Sequence, residues 1–224
     1  GFGSPFAPEL NIDRKILKGV REHLETIREE AGPDIDILLD LNFNAKTEGY
    51  LKILREIEDL DMFWIELDTR DADALAYIRS RSPHPIASCE TLIGAQQFLP
   101  FLRRQAVDVA IIDTPWNGVW QSMKIAAVAE AHEVNVACHN FYGHLCTMMN
   151  AHFCAAVPNL RIMEVDIDRI PWDQELFTHT PEYEDGHLVI PDRPGWGTDP
   201  VEEAIRAYPP IKAHGLMGHG RSQT

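Results

Sequence analysis

Residues 107–140, VDVAIIDTPWNGVWQSMKIAAVAEAHEVNVACHN, contain the clearest strand–helix–strand unit of the chain. Val107–Ile112 has the length of a buried strand, Trp120–His132 has a helical period, and Val134–Cys138 is a second strand-like run. The alternation continues on both sides, with further strands predicted at Ile35–Leu41, Met62–Leu67, Pro85–Cys89 and Arg161–Val165. Six strand–helix alternations in succession predict parallel strands joined by right-handed crossovers.

Two architectures contain such a series, the open doubly wound sheet and the closed barrel. An open sheet usually has a Gly-rich phosphate turn after its first strand. No G-x-G-x-x-G or Walker pattern occurs here, which favours the barrel. From Thr178 onward, prolines and glycines interrupt the pattern. We therefore predict an α/β chain with a partial TIM barrel at residues 1–177 and a Pro/Gly-rich C-terminal wrap at residues 178–224 that completes the fold.

The composition narrows the class of protein and its partners. The chain has 224 residues, of which 45% are hydrophobic and 25% are charged, a composition typical of globular proteins. A formal net charge of -15 repels polyanions, so we expect no nucleic-acid partner and no binding to anionic membranes. The four cysteines form no C-x-x-C pair, and no apolar run reaches about 18 residues. We predict reduced thiols and a cytoplasmic location.

Carboxylates end the first three predicted strands at matched positions. Asp40, Glu66 and Glu90 lie 26 and 24 residues apart, about one strand–helix unit each. Active sites of barrels form where strands end, so these side chains should converge. Converging anions need a cation, and oxygen-only ligands favour Mg²⁺, with Mn²⁺ as the alternative. Each acid could instead cap the following helix, and Asp68, which lies further into its loop, fits that role better than Glu66.

The later strands end in a second set of polar groups. Asp113 and His139 follow neighbouring strands, 26 residues apart, and a carboxylate beside an imidazole fixes its tautomer and raises its basicity. A lone histidine is more often structural, but this pairing predicts a general base. Glu164 follows the next strand and should face the same cavity. Three residues beyond the strand ends are candidates for substrate binding: Asn42 and Trp116 in predicted loops, and His144 at the start of the helix after His139.

The ordered set of these motifs resembles the enolase superfamily, and within it the mandelate racemase/muconate lactonising branch. The resemblance covers roughly residues 12 to 205 and rests on DLN at Asp40–Asn42, WIELD at Trp64–Asp68, SCETL at Ser88–Leu92, IID at Ile111–Asp113, KIAAVAEAHEVNVACHN at Lys124–Asn140, RIMEVD at Arg161–Asp166 and DRPGWGTD at Asp192–Asp199. Each motif alone is weak, whereas their order is specific. The resemblance implies a modified (β/α)₇β barrel that binds one Mg²⁺ per site.

The resemblance also implies roles for individual residues. The three metal ligands are matched by Asp40, Glu66 and Glu90. The histidine–aspartate dyad that acts as base or acid is matched by His139 and Asp113. Glu164 matches the acidic group that hydrogen-bonds the bound carboxylate or enediolate.

Two departures from the family pattern stand out. The family has a capping domain and two more barrel strands ahead of the first strand found here, and the second of those strands often carries a catalytic lysine. We therefore expect this chain to be a segment of a longer polypeptide, with the preceding segment as a partner, and we expect homo-oligomers. Asn42 stands where some acid-sugar dehydratases have a histidine, and an amide cannot transfer protons.

The function implied is abstraction of the proton α to a carboxylate, through an enediolate intermediate, by a Mg²⁺-dependent enzyme. The favoured outcome is dehydration of a sugar acid, because the run His139–His144 is polar enough for a polyhydroxy substrate. Racemisation or epimerisation is the alternative within the same superfamily. Outside it, the alternatives are a non-catalytic barrel that binds or supports a partner, and another Mg²⁺-dependent barrel lyase that cleaves a C–C bond.

Overall fold

The computed structural model describes residues 11–168 and 170–209. Six parallel strands form one curled sheet, part of a barrel, in the order in which they occur along the chain. The strands are β1 (Ile37–Asp40), β2 (Met62–Glu66), β3 (Ile86–Ser88), β4 (Val109–Ile112), β5 (Asn135–Cys138) and β6 (Leu160–Met163). All six predicted strands are confirmed, with ends that shift by two residues or fewer. The predicted partial barrel is confirmed as well.

Helices precede the first strand and connect the others. They are α1 (Arg14–Ala31), α2 (Thr47–Glu56), α3 (Ala72–Arg79), α4 (Ala95–Arg103), α5 (Thr114–Asn117), α6 (Val119–Ala131) and α7 (His144–Ala156). Local sequence explains their ends: the Asp13 carboxylate accepts a 2.9 Å bond from the Ile16 N–H at the start of α1, and Gly32 ends it with a φ of 83°. No helix in residues 11–168 and 170–209 combines the length and apolar character needed to cross a membrane.

The strand side chains alternate between two apolar clusters. The larger cluster lies between helices and sheet and includes Cys89 and Cys138. The smaller one lies on the inner face of the sheet and is formed by Trp64, Ala87, Val109, Ile111 and Ala137, with Phe63 against it. Because side chains two apart on a strand share a face, the polar groups at the strand ends lie above this inner cluster.

The C-terminal region is rich in loops but folds back on itself. It contains a 3₁₀ helix (Asp173–Leu176), the antiparallel pair β7 (Tyr183–Glu184) and β8 (His187–Leu188), and α8 (Glu202–Ala207). The Thr178 N–H donates to the Asp199 carbonyl and the Val201 N–H to the Leu176 carbonyl, at 2.9 and 2.8 Å. The Trp196 ring lies 5.8 Å from that of His152 on α7. The domain boundary at residue 178 stays a prediction, and residues 1–10, 169 and 210–224 of the two predicted regions lie outside the described residues.

Candidate functional site

The predicted catalytic and metal-binding residues lie at the C-terminal ends of the six parallel strands. Asp40 and Glu66 are the last residues of β1 and β2 and are register partners. Glu90 lies two residues beyond β3. The residues that directly follow β4, β5 and β6 are Asp113, His139 and Glu164. Barrel enzymes have their active sites at this end of the strands.

Helix capping does not explain the three carboxylates of the first strands. The N-cap residues of α2, α3 and α4 are Lys46, Asp71 and Gly94. The capping alternative is therefore wrong for Asp40, Glu66 and Glu90.

The expectation that Asp68 is a cap is also wrong. Its side chain is 3% exposed, and its Oδ1 accepts bonds from the Ser88 hydroxyl at 2.7 Å and the Cys89 N–H at 3.3 Å. Asp71 caps α3 instead, through bonds from the N–H groups of Asp73 and Ala74. Asp68 follows β2, and its contacts with Ser88 and Cys89 at the end of β3 depend on the pairing of these two strands.

The negative charges at the ends of β1 to β3 destabilise one another. Removal from water raises the pKa of Glu66 well above its ordinary value, and Asp40, Glu90, Asp68 and Glu164 raise it further. Burial and then Asp68 raise the pKa of Glu90 to about 8, against the opposing effect of His139 and with smaller contributions from other acids. Such mutual repulsion is what a bound divalent cation would relieve.

Asp40 lies at the open edge of the described sheet, and its neighbour Asn42 organises it. Asp40 Oδ1 accepts a 2.7 Å bond from the Asn42 N–H, and the Asn42 amide nitrogen donates to Oδ2. Asn42 has a φ of 45°, a conformation that asparagine tolerates better than most residues. Asp40 as a whole residue is exposed, but removal of its carboxylate from water raises its pKa to about 6. The bond from the Asn42 N–H opposes that rise. The proposed contact of Asn42 with substrate stays a prediction.

His139 and Asp113 form a hydrogen-bonded pair. The Nδ1 atom of His139 lies 2.8 Å from Oδ2 of Asp113, whose side chain is fully buried. A carboxylate oxygen accepts, so Nδ1 carries a proton, and in the neutral ring Nε2 keeps its lone pair. Nε2 lies 3.6 Å from Oε2 of Glu90, which brings the dyad against the carboxylate cluster.

Two further contacts hold Asp113 in place. The Tyr142 hydroxyl donates to Asp113 Oδ2 at 2.5 Å, and its ring meets His139 edge-on at 5.3 Å between centroids. Asp113 Oδ1 accepts from the Trp116 N–H at 2.8 Å and so caps α5 as well. Sequence reasoning missed Tyr142, although it lies in the polar run 139–144 that drew attention there.

Glu164 is tied to the residue after the histidine. Its Oε2 accepts a 2.5 Å bond from the Asn140 N–H, and its carbonyl accepts a 2.9 Å bond from the Asn140 amide. Asn140 is fully buried and also bonds Thr147 and Asn150 on α7, at 3.1 and 3.0 Å. Asn140 is thus a second residue whose importance only the structure shows, because its partners come from β6 and α7.

The other two predicted substrate contacts lie differently. Trp116 lies in the short helix α5, directly after Asp113, and is 54% exposed. His144 is buried at the start of α7, where its Nε2 lies 3.4 Å from Oδ2 of Asp173 and its ring meets Phe177 edge-on. These contacts attach His144 to the C-terminal region. For both residues, a role toward substrate stays a prediction.

The donors suit Mg²⁺ by their chemistry. Asp40, Glu66 and Glu90 offer only carboxylate oxygens, the ligands that this hard cation prefers. Burial raises the pKa of all three carboxyls, and neighbouring acids add to that rise, as expected for a buried acidic cluster without a cation. Among the residues that the structure describes, no group of three His, Cys, Asp or Glu side chains is already arranged around a single metal position. The chemistry of the donor set fits the ion.

Comparison with known proteins shows the family of the chain. The family described as enolase C-terminal domain-like has a model that matches residues 10–204. The chain belongs to this family. The assignment to the enolase superfamily made from the sequence motifs is thereby confirmed.

Relatives of this enolase-family chain include acid-sugar dehydratases. The arabinonate dehydratase of Saccharolobus solfataricus is 30% identical over 192 residues, which cover 84% of this chain and 51% of the relative. The D-xylonate dehydratase of Haloferax volcanii is 28% identical over 200 residues, covering 88% and 47%. The chain thus spans about half the length of the curated relatives it matches.

A solved structure from Burkholderia xenovorans is more similar in sequence. It is that of a proposed L-alanine-DL-glutamate epimerase bound to magnesium and fumarate. Identity is 69% and the TM-score is 0.91, over 95% of this chain and 53% of that one. The proteins similar to this chain are thus named for two kinds of reaction, dehydration and epimerisation.

The raised pKa values predict how stability without metal depends on pH. A carboxyl whose pKa is higher in the folded than in the unfolded state stabilises the fold at low pH, and that stability is lost as pH rises through the folded value. For Asp40 and Glu90 these values are about 6 and about 8. The free energy of unfolding in EDTA should therefore fall as pH rises from about 4 to about 8.

Urea unfolding across that pH range checks this expectation. Glu90→Gln should show a shallower fall than the parent protein, because one of the raised carboxyls is gone. Equal slopes for the two proteins would contradict the electrostatic description of the cluster, since the general effect of net charge is common to both.

Proposed function

We propose that the protein abstracts the proton α to a substrate carboxylate and, with Mg²⁺ held by Asp40, Glu66 and Glu90, dehydrates a sugar acid. The observation that carries this proposal is the His139–Asp113 pair, with a 2.8 Å bond at Nδ1 and the opposite nitrogen turned toward Glu90. A base with its lone pair directed at a carboxylate cluster suits proton removal from a substrate bound there. The activity belongs to the whole protein, which in the relatives is about twice as long.

His139 serves as the base in this proposal. Burial alone lowers the pKa of His139, but the bond to Asp113 and the charges of Glu90 and Glu164 raise it by more. A more basic imidazole is better able to accept a proton from a weak carbon acid. Asp113 fixes the tautomer in which Nε2 is the acceptor, and Tyr142 restrains Asp113 by a second bond.

The carboxylate cluster is the proposed site for the substrate's acid group and its cation. When bound, Mg²⁺ supplies positive charge that offsets the negative charge which develops on the substrate carboxylate as the proton leaves. Asp40, Glu66 and Glu90 would hold it. Glu164, whose Oε2 accepts a bond from the Asn140 N–H, is the proposed contact to the same substrate group.

The protons and electrons of the dehydration step balance with His139 as the acid–base group. The α-proton passes to Nε2 of His139, and the electron pair of the C–H bond forms the new double bond. The β C–O bond breaks, and the leaving hydroxide takes a proton from His139 to become water. The enol that remains tautomerises to a 2-keto-3-deoxy acid. The dehydratase names of several relatives support this outcome.

Epimerisation is the second candidate. The 69% identical Burkholderia protein is named as a proposed epimerase, and Asn42 cannot act as an acid at the position discussed above. In this outcome the proton returns to the opposite face of the α-carbon, and no water is lost. A second acid or base from elsewhere in the full protein would deliver it.

One experiment separates the two outcomes and tests both. The full-length protein with Mg²⁺ is incubated in D₂O with a panel of sugar acids and, separately, of dipeptides. Keto-acid formation is followed by semicarbazide derivatisation, and α-deuteration by mass spectrometry. Keto acid from a sugar acid supports dehydration, and deuterated, inverted dipeptide supports epimerisation. If no substrate is deuterated and calorimetry detects no Mg²⁺ binding, the non-catalytic barrel is the better description.

A further inference from the structure

Asp68 joins the three loops that follow β1, β2 and β3. Its backbone N–H donates to the Asn42 carbonyl at 2.9 Å, and its own carbonyl accepts from the Tyr50 hydroxyl at 3.1 Å. The Tyr50 hydroxyl is also 2.7 Å from the Asn42 carbonyl. On the other side, the Asp68 side chain accepts bonds from Ser88 and Cys89. One buried residue thus connects three loops that are far apart in sequence.

These loops are the ones that carry the carboxylate cluster. Asp40 lies two residues before Asn42, and Glu66 two residues before Asp68. Glu90 directly follows Cys89. Every bond of Asp68 therefore restrains a backbone segment within two residues of a cluster carboxylate.

The bond to Cys89 restrains an unfavourable backbone conformation. Cys89 has a φ of 95°, in the left-handed region that residues with a side chain rarely adopt. Such conformations persist where the surroundings impose them, and they concentrate at functional sites. The Cys89 N–H bond to Asp68 Oδ1 and burial of the Cys89 side chain provide that restraint. The orientation of Glu90, the next residue, depends on this conformation of Cys89.

We propose that Asp68 is a positioning residue, which sets the loops after β1, β2 and β3 so that Asp40, Glu66 and Glu90 can hold one divalent cation. The inference rests on the proposed function, because it assigns the cluster to Mg²⁺. It goes further by naming a fourth carboxylate that acts through its hydrogen bonds and its backbone.

The test compares two substitutions in the full-length protein. Asp68→Ala removes the acceptor for Ser88 and Cys89, whereas Asp68→Asn keeps an oxygen there and removes only the charge. Loss of groups that orient metal ligands typically costs about 10–100-fold in metal affinity. We expect that loss in Asp68→Ala by Mg²⁺ calorimetry. Asp68→Asn should lose clearly less affinity, because it removes a negative charge beside Glu90 but keeps the acceptor oxygen. Asp71→Ala, which removes the cap of α3 outside the cluster, is the matched control and should bind Mg²⁺ as the parent does.

Amide hydrogen exchange in EDTA supplies a second reading that does not depend on metal. Residues 86–92 should exchange faster in Asp68→Ala and at the parental rate in Asp68→Asn. If Asp68→Ala does not fold, Ser88→Ala replaces it, because that change removes one of the two side-chain bonds and should give a smaller acceleration in the same segment.

The outcomes separate the two proposals. A parent protein that fails to bind Mg²⁺ overturns the proposed function, and the exchange data still test the restraint by Asp68. Parental exchange at residues 86–92 in the variant without the acceptor overturns the positioning role. Equal loss of affinity in Asp68→Asn and Asp68→Ala would also overturn it, because charge and not hydrogen bonding would then be responsible.

Discussion

Replacing His139 by asparagine should lower α-proton exchange by at least about 100-fold while Mg²⁺ binding is retained, since positioned acid–base groups contribute about 10²–10⁴-fold. His139 Nε2 is the only ring nitrogen of this residue left to accept a proton, because Nδ1 is bonded to Asp113. Asparagine can still donate toward Asp113, so the buried carboxylate keeps a partner. The measurement is deuterium incorporation in D₂O for a substrate found in the panel above, with Mg²⁺ calorimetry in parallel.

His132→Asn is the matched control. His132 lies at the C-terminal end of α6, where its Nδ1 is 2.8 Å from the Val128 carbonyl, at the opposite end of the strand that leads to His139. It should leave exchange and Mg²⁺ affinity unchanged. Parental exchange in His139→Asn would exclude His139 as the base and would move the search to residues beyond the described barrel strands.

Glu90→Gln should weaken Mg²⁺ binding by about 100-fold or more, beyond the range seen for groups that only orient metal ligands. The substitution keeps shape and volume but removes a charged oxygen donor from the centre of the cluster. Its loss should at the same time stabilise the metal-free protein near neutral pH, because burial and neighbouring acids raise the pKa of Glu90 to about 8. Opposite changes in affinity and stability would be a specific signature of a cation site.

Glu58→Gln is the corresponding control for charge alone. Glu58 is exposed, between α2 and β2, and therefore at the opposite end of the sheet. It removes the same formal charge and should change neither Mg²⁺ affinity nor metal-free stability appreciably. If Glu90→Gln bound Mg²⁺ as tightly as the Glu58 variant, Glu90 would not be a ligand, and the cation site would have to be sought elsewhere.

Local patterns were sufficient to predict the frame of the molecule. Strand-sized apolar runs separated by helical periods depend on near-neighbour spacing, which is present in the sequence, so β1 to β6 could be located within two residues. The period of two along a strand also explains why Cys138, next to His139, belongs to the helix-side core. Chain order also predicted that Asp113 and His139 would meet, because consecutive parallel strands are neighbours.

Contacts between loops could not be predicted in this way. Asp68 looked like a helix cap because its local sequence permits that role, but the pairing of β2 with β3 brings it within hydrogen-bonding distance of Ser88 and Cys89. Tyr142 reaches Asp113 across 29 residues of sequence, and Asn140 reaches Glu164 across 24. Such bonds depend on loop conformations that no periodicity encodes.

By itself, the sequence determined the order of strands, the face on which each side chain lies and the identity of the acids at the strand ends. Those properties follow from spacing along one chain. Only the tertiary structure decided which of the acids are helix caps, which way Nε2 of His139 points, and that Asp68 connects the three carboxylate-bearing loops. These depend on distances between segments that fold against each other, and on the cost of burying charges that must find partners there.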